Sequence, residues 1–203
     1  MKRIGLFFLV GFLFFQTADL RADYNYEGAL ASHNDVLTFA FTTDRETVVS
    51  LFTTSWFDSG LDLMLSVWDA NGNLLGWTDD CEDAFPYSSG SSVYFVGELD
   101  PFYTDTFAAG QYFATVTVGG NWASGNNLSD GFDYDADEPL SIEVWDSAAT
   151  NQVSFNIVGA TNVSIQDGGD DTVVPEPGTL ALLGLGMASL PFIRRRIRKS
   201  LHN

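Results

Sequence analysis

The chain is poor in the residues that carry most enzyme chemistry. Its 203 residues include one cysteine, Cys81, and two histidines, His33 and His202. A single cysteine excludes an intrachain disulfide. Cys81 sits in Asp79-Asp-Cys-Glu-Asp83, where four carboxylates disfavour the thiolate, so an unreactive thiol is expected rather than an intermolecular bridge. Two histidines, one of them at the extreme C-terminus, exclude a multi-histidine metal centre. They leave His33 as the one candidate base for Ser–His–Asp or Cys–His catalysis. Beside Asn34 and Asp35, it reads as a solvated loop residue.

Cations are also scarce where they would matter. Between residues 23 and 174 lie 25 of the 27 Asp and Glu, all but Asp19 and Glu176, yet of nine Lys and Arg only Arg45. A stretch near −24 excludes nucleic acid as a partner. Without a basic face it does not bind anionic lipid either. Most of its carboxylates have no cationic side chain to pair with, so each must be hydrated, capped by backbone N–H groups, or bound to a metal cation. Salt or divalent ions should relieve the self-repulsion.

Both ends differ from this middle. Lys2 and Arg3 precede an apolar run from Ile4 to Phe15, followed by Gln16, Thr17, Ala18 and Ala22. That is the layout of a secretory signal. Twelve residues extend about 18 Å as a helix, short of the roughly 30 Å hydrocarbon core, which favours cleavage over a permanent anchor. Residues 1–22 are therefore expected to be removed by signal peptidase, with a mature start near Asp23.

At the other end a polar linker, 167–174, leads into Pro175-Glu176-Pro177, an apolar stretch from Thr179 to Ile193, and a cluster of Arg194, Arg195, Arg196, Arg198 and Lys199. The two prolines hold the tripeptide extended, and the basic cluster favours the cytoplasmic side. With Gly184, Gly186 and Pro191 inside it, the apolar stretch makes a short, weak helix suited to a temporary stay in the membrane. This tail, 175–199, resembles the PEP-CTERM sorting signal of bacteria that make exopolysaccharide. The resemblance rests on Pro175, Glu176 and Pro177, on Leu180-Ala-Leu-Leu-Gly-Leu-Gly-Met187, and on Arg194, Arg195 and Arg196. It implies that an exosortase recognises the motif and removes the tail, leaving the protein on the envelope or in the extracellular matrix. The alternative is a plain tail anchor that stays in the membrane.

Between the ends, residues 23–166 suit one domain. Short segments rich in β-branched and aromatic residues recur between turns: Asp35–Thr42, Thr47–Thr54, Leu61–Trp68, Gln111–Val118 and Gln152–Val158. Leu37, Phe39 and Phe41 point one way, as do Leu61, Leu63, Leu65 and Val67. Asp69-Ala-Asn-Gly-Asn73 reads as a hairpin turn. The pattern predicts an all-β fold, an antiparallel β-sandwich of jelly-roll type, flanked by the N-terminal signal helix and the short C-terminal hydrophobic helix. The run Gly60–Asn73, the pair Asp79-Asp80 and the strand entry Ala109-Gly-Gln-Tyr-Phe113 resemble bacterial pre-peptidase C-terminal domains. Asn126–Phe132 resembles a subgroup of exported proteins with sorting tails. In this chain the sandwich is expected to stand without the peptidase domain after which the first family is named.

Two acidic groups are candidates for calcium, which favours six to eight oxygen ligands. One is Asp133, Asp135 and Asp137, at alternate positions in a turn-rich segment with Asp130 before it and Glu138 after. This is not an EF-hand, because the glycine at position six and the glutamate at position twelve are missing. The other is Asp79 and Asp80 with Glu82 and Asp83, joined in space by Asp69 or Asn71. Families that this chain resembles include calcium-binding members with ligands near such turns. The plainer reading of both groups is a solvated acidic surface.

Aromatic residues offer a different chemistry. Most of Trp56, Trp77, Trp122 and Trp145 are expected in the core. Trp122, in a Gly- and Asn-rich loop, is the candidate for stacking on a sugar ring. The expected protein is thus a non-catalytic component of the cell surface or extracellular matrix whose acidic sandwich is a candidate for calcium. A carbohydrate-binding module acting on exopolysaccharide is the second reading, and a glycoside hydrolase using an unidentified carboxylate pair the third.

Overall fold

A computed structural model describes residues 23–166. The signal segment 1–22, the linker 167–174 and the sorting tail 175–199, with Pro175, Glu176, Pro177 and the arginine cluster, lie outside the described residues, as do the two terminal helices expected above.

The described residues form an antiparallel β-sandwich. One sheet holds β1 (Tyr24–Ala29), β10 (Gln152–Val158), β3 (Thr47–Thr53) and β8 (Phe102–Phe107), in that order. The other holds β11 (Asn162–Ile165), β2 (Leu37–Thr43), β9 (Gly110–Val118), β4 (Leu63–Asp69) and β5 (Leu74–Thr78). Most successive strands lie in opposite sheets. The chain therefore wraps around its core instead of meandering across one face.

Alternation along the strands decides which side chains meet in the middle. Phe39 and Phe41 of β2, Leu63, Leu65 and Val67 of β4, and Val49 and Leu51 of β3 are fully buried, and together with Val153, Phe155 and Ile157 of β10 they form one core. Phe39 spans the two sheets, with its ring centroid 4.7 Å from Phe155 and 5.1 Å from Tyr26 of β1.

A second apolar layer sits outside the sandwich. The hairpin β6 (Phe85–Ser89) and β7 (Ser92–Val96) packs Val96, Phe85, Tyr87 and Tyr94 over Phe52, Phe102 and Val158, which point away from the main core. Pro86 is tolerated because β6 is paired only with β7 among the described strands.

The predicted hairpin turn is present between β4 and β5. Gly72 adopts φ +79°, a conformation that favours glycine, and Asp69 accepts hydrogen bonds from Asn71 N (2.8 Å), Asn73 N (2.9 Å) and Asn73 Nδ2 (2.8 Å). Among the described residues, helix is confined to single turns, α1 (Trp56–Ser59) and α2 (Ile142–Trp145), and a 3-10 turn at Leu128–Asp130.

His33 is not the solvated loop residue expected. It is 4% exposed. Its ring lies 5.3 Å from that of Tyr134 and 6.1 Å from that of Trp145. Nδ1 accepts a hydrogen bond from Leu140 N at 3.3 Å, and Nε2 lies 3.7 Å from Asp137 Oδ2. A histidine whose two nitrogens are engaged in fastening the 31–35 turn to the 133–141 segment is a structural residue.

Candidate functional site

Several of the carboxylates are satisfied by the fold itself. Asp100, fully buried, accepts from Gly97 N (2.8 Å), Ser55 N (2.8 Å), Trp56 N (3.2 Å) and Thr53 Oγ1 (2.5 Å). Asp35 accepts from Ala31 N, Ser32 N and Ser32 Oγ. Asp69 is spent on its own turn, and Asn71 gives its N–H to Asp69 and its carbonyl to Asn127 Nδ2.

The 130–138 segment behaves in the same way. Asp130 accepts from Asn127 N, Asp133 from Ser124 Oγ (3.0 Å) and Asp135 from Phe132 N (2.9 Å), while Asp137 faces His33. Alternate spacing in sequence has become turn geometry. Asp133, Asp135 and Asp137 serve separate partners.

Asp62, Asp79 and Asp80 are different. They bring carboxylate oxygens within 4.8 Å of one another. Asp62 Oδ1 and Asp79 Oδ1 are buried atoms without a hydrogen-bond partner. Burial, and then the charges of Asp80, Asp79 and Asp146, push the Asp62 carboxyl up from 3.8 to about 6. Asp79 is raised by burial and by Asp80.

The fold explains why these three meet. Asp62 precedes β4 and Asp79 follows β5, and these strands are paired, with Leu65 opposite Thr78. Asp62 is held from the β9 side as well: its carbonyl accepts from Gly119 N at 2.9 Å. A Cβ at position 119 would lie 2.7 Å from the Asp62 carboxyl carbon. Only glycine lets the backbone approach so closely.

Sequence reasoning reached Asp79 and Asp80 and missed Asp62, although a signal was there. Flanked by core residues Leu61 and Leu63, Asp62 is obliged by strand alternation to face away from the core.

Three converging carboxylates, two of them with a buried unpartnered oxygen, suit a hard cation. Calcium–oxygen distances of 2.3–2.6 Å place ligand oxygens on opposite sides of the ion roughly 5 Å apart, and water completes a shell of six to eight. Cys81, two residues after Asp79, is no competing ligand: burial, then Asp100 and Asp80, raise its thiol above the ordinary range.

A separate feature lies on β5 and in the loop after β9. Trp77, one of the tryptophans of which most were expected in the core, is 54% exposed. Its ring stands edge-on to that of Trp122, with centroids 4.6 Å apart at 87°. Leu75, two residues earlier on the same strand, is also exposed.

Residues 173–199 match the family model described as the PEP-CTERM protein-sorting motif. The chain carries a PEP-CTERM sorting signal. That signal implies an exported protein, processed by an exosortase and delivered to the cell envelope or surface. Among solved structures, the chain is similar to the pre-peptidase C-terminal domain of a collagenase from Bacillus anthracis, at 8% identity and a TM-score of 0.35, over 70% of this chain and 89% of that one. No curated protein matches the chain.

Proposed function

We propose that this PEP-CTERM protein delivers a non-catalytic, calcium-binding β-sandwich to the cell surface or extracellular matrix. The observation that carries the reading is the contrast between satisfied and unsatisfied carboxylates. Asp35, Asp69, Asp100 and Asp135 are capped by the fold's own N–H groups, whereas Asp62 and Asp79 hold buried oxygens without partners beside Asp80. Such a group is strained by its own charge until a cation joins it. Calcium, plentiful outside the cell and undemanding in geometry, fits this arrangement.

Asp62, Asp79 and Asp80 would hold the ion, tying the start of β4 to the end of β5. The role is structural, since the ion neutralises a local part of the charge that weakens the compact state. Calorimetric titration of calcium into the chelator-treated protein should give one saturable site, lost in Asp62→Asn and in Asp79→Asn. Equal heats from wild type and both variants would remove these residues from the site.

One observation favours a second reading, carbohydrate binding. Exposed Trp77 beside Trp122 offers a ring face of the kind that stacks on sugars. Under that reading Trp122→Ala reduces retention on extracellular polysaccharide without lowering the melting temperature. Unchanged retention would end it.

A further inference from the structure

The outer face of the four-stranded sheet is only partly covered by the β6–β7 hairpin. Beside the hairpin lies an open cleft of about 410 Å³, within the range of small-ligand sites. Its lining includes Asn25 and Glu27 of β1 and Ser154 of β10, with Phe57 and Asp58 of α1 and Phe95 of β7. The pleat explains the composition. Tyr24 and Tyr26 of β1 pack on the main core, leaving Asn25 and Glu27 to point outward. On β7, Tyr94 packs on Phe52, so Val93 and Phe95 turn away from the apolar layer.

Two rings are therefore displayed to solvent: Phe57 is 63% exposed and Phe95 66% exposed. Neither is a frayed end. The α1 turn is held by buried Asp100 through Ser55 N and Trp56 N, and β7 is paired with β6 along its whole length. Large apolar side chains kept in the open on anchored elements, beside a polar floor, mark a ligand surface. The floor is ordered too: Thr54 Oγ1 donates to Ser154 Oγ (2.9 Å), which donates to Glu27 Oε1 (2.8 Å), and Asn25 Nδ2 donates to Asn156 Oδ1 (2.9 Å).

We propose that this cleft binds a neutral saccharide, with a sugar ring held by Phe57 and Phe95 and its hydroxyls bonded to Glu27, Asp58 and Asn25. The chemistry selects the class. The carboxylates of Glu27 and Asp58 accept hydrogen bonds, so the ligand must present donors, and an anion is disfavoured. Asn25 has a second amide hydrogen and a carbonyl oxygen beyond its bond to Asn156, and so can both donate to and accept from hydroxyl groups, which is of no use to a polycation. The rings require an apolar face on the same ligand. A hydroxylated pyranose has both faces. The cleft lies on the opposite sheet from Trp77 and Trp122 and does not depend on that reading or on calcium.

The test is affinity electrophoresis of the mature protein, recovered from its host, through gels containing in turn neutral glucan, galactan, mannan and chitooligosaccharide. Wild type should be retarded by at least one of them. Phe57→Ala and Phe95→Ala, at exposed positions, should each weaken retention about tenfold with unchanged melting temperature, and Glu27→Gln should weaken it as well, while Val144→Ala, an exposed apolar position on α2 outside this lining, leaves it intact. Retardation by none of the four, equal retardation of wild type and both Phe variants, or loss with Trp122→Ala alone would overturn the proposal. Displacement of wild type from the retarding gel by oligolysine but not by the free oligosaccharide would overturn it too, in favour of a basic peptide.

Discussion

Asp62 carries the argument at the scale of single residues. Its carboxyl is raised to about 6, first by burial and then by Asp80, Asp79 and Asp146. The raised value gives a definite sign. Below pH 3.8 the group is neutral whether folded or unfolded. As pH rises through about 6 it ionises in the folded state at a cost, so its contribution to stability is lost across that window. For a half-exposed group the penalty at neutral pH is on the order of 1 kcal/mol. In chelator at pH 7.5, Asp62→Asn should therefore melt above wild type, and the gap should close near pH 4. With saturating calcium the order should reverse. A variant that melts below wild type in chelator at pH 7.5 would show that Asp62 is not a source of strain. Gly119→Ala, which crowds the same carboxyl, should weaken calcium binding without touching a ligand, and undiminished affinity would argue against the close approach.

At the scale of elements, Asp100 is what sets α1 and the turn before β8 in place. It joins Gly97, just after β7, to Ser55 and Trp56 at the start of α1, with Thr53 at the end of β3. Asp100→Ala would leave three buried N–H groups without an acceptor and should cost about 3 kcal/mol or more in chemical denaturation. A loss under 1 kcal/mol would mean that water replaces the carboxylate.

The elements also show what was legible in the sequence. Strands β2, β3, β4, β9 and β10 announce themselves by alternating apolar residues, and each lies within two residues of its expected start. The strand Tyr24–Ala29 and the hairpin Phe85–Val96 went unread. Their faces are only half-buried, β1 mixes Tyr with Asn, Glu and Gly, the hairpin strands carry apolar or aromatic residues on both faces, and β6 contains a proline, so alternation marks them weakly. The acidic pair Asp79 and Asp80 was visible as a charge run. Asp62 joins it only through the β4–β5 pairing, a long-range contact that local pattern does not encode. Burial of His33 depends likewise on Tyr134 and Trp145, more than a hundred residues away.

On the scale of the whole molecule, two unlike parts are joined. The sorting signal at 173–199 implies export to the cell envelope or surface, and the β-sandwich occupies the described residues 23–166. If exosortase removes the tail, intact-mass spectrometry of protein from the host should find a chain that ends near Pro175–Pro177 and starts near Asp23. A mass that includes Asn203 would identify a retained anchor instead. The acidic character of the sandwich belongs to this scale as well. With Arg45 as its one basic side chain apart from histidine, its compact state is weakened by self-repulsion that general screening relieves only in part.

The most direct measurement is scanning calorimetry of the mature protein at pH 7.5 in chelator, in calcium, and in magnesium at matched ionic strength. The account predicts that calcium raises the melting temperature by several degrees beyond the magnesium and salt controls, with the excess absent in Asp62→Asn. A calcium curve that overlays the ionic-strength control would contradict it, and would leave Asp62, Asp79 and Asp80 as part of a solvated acidic surface.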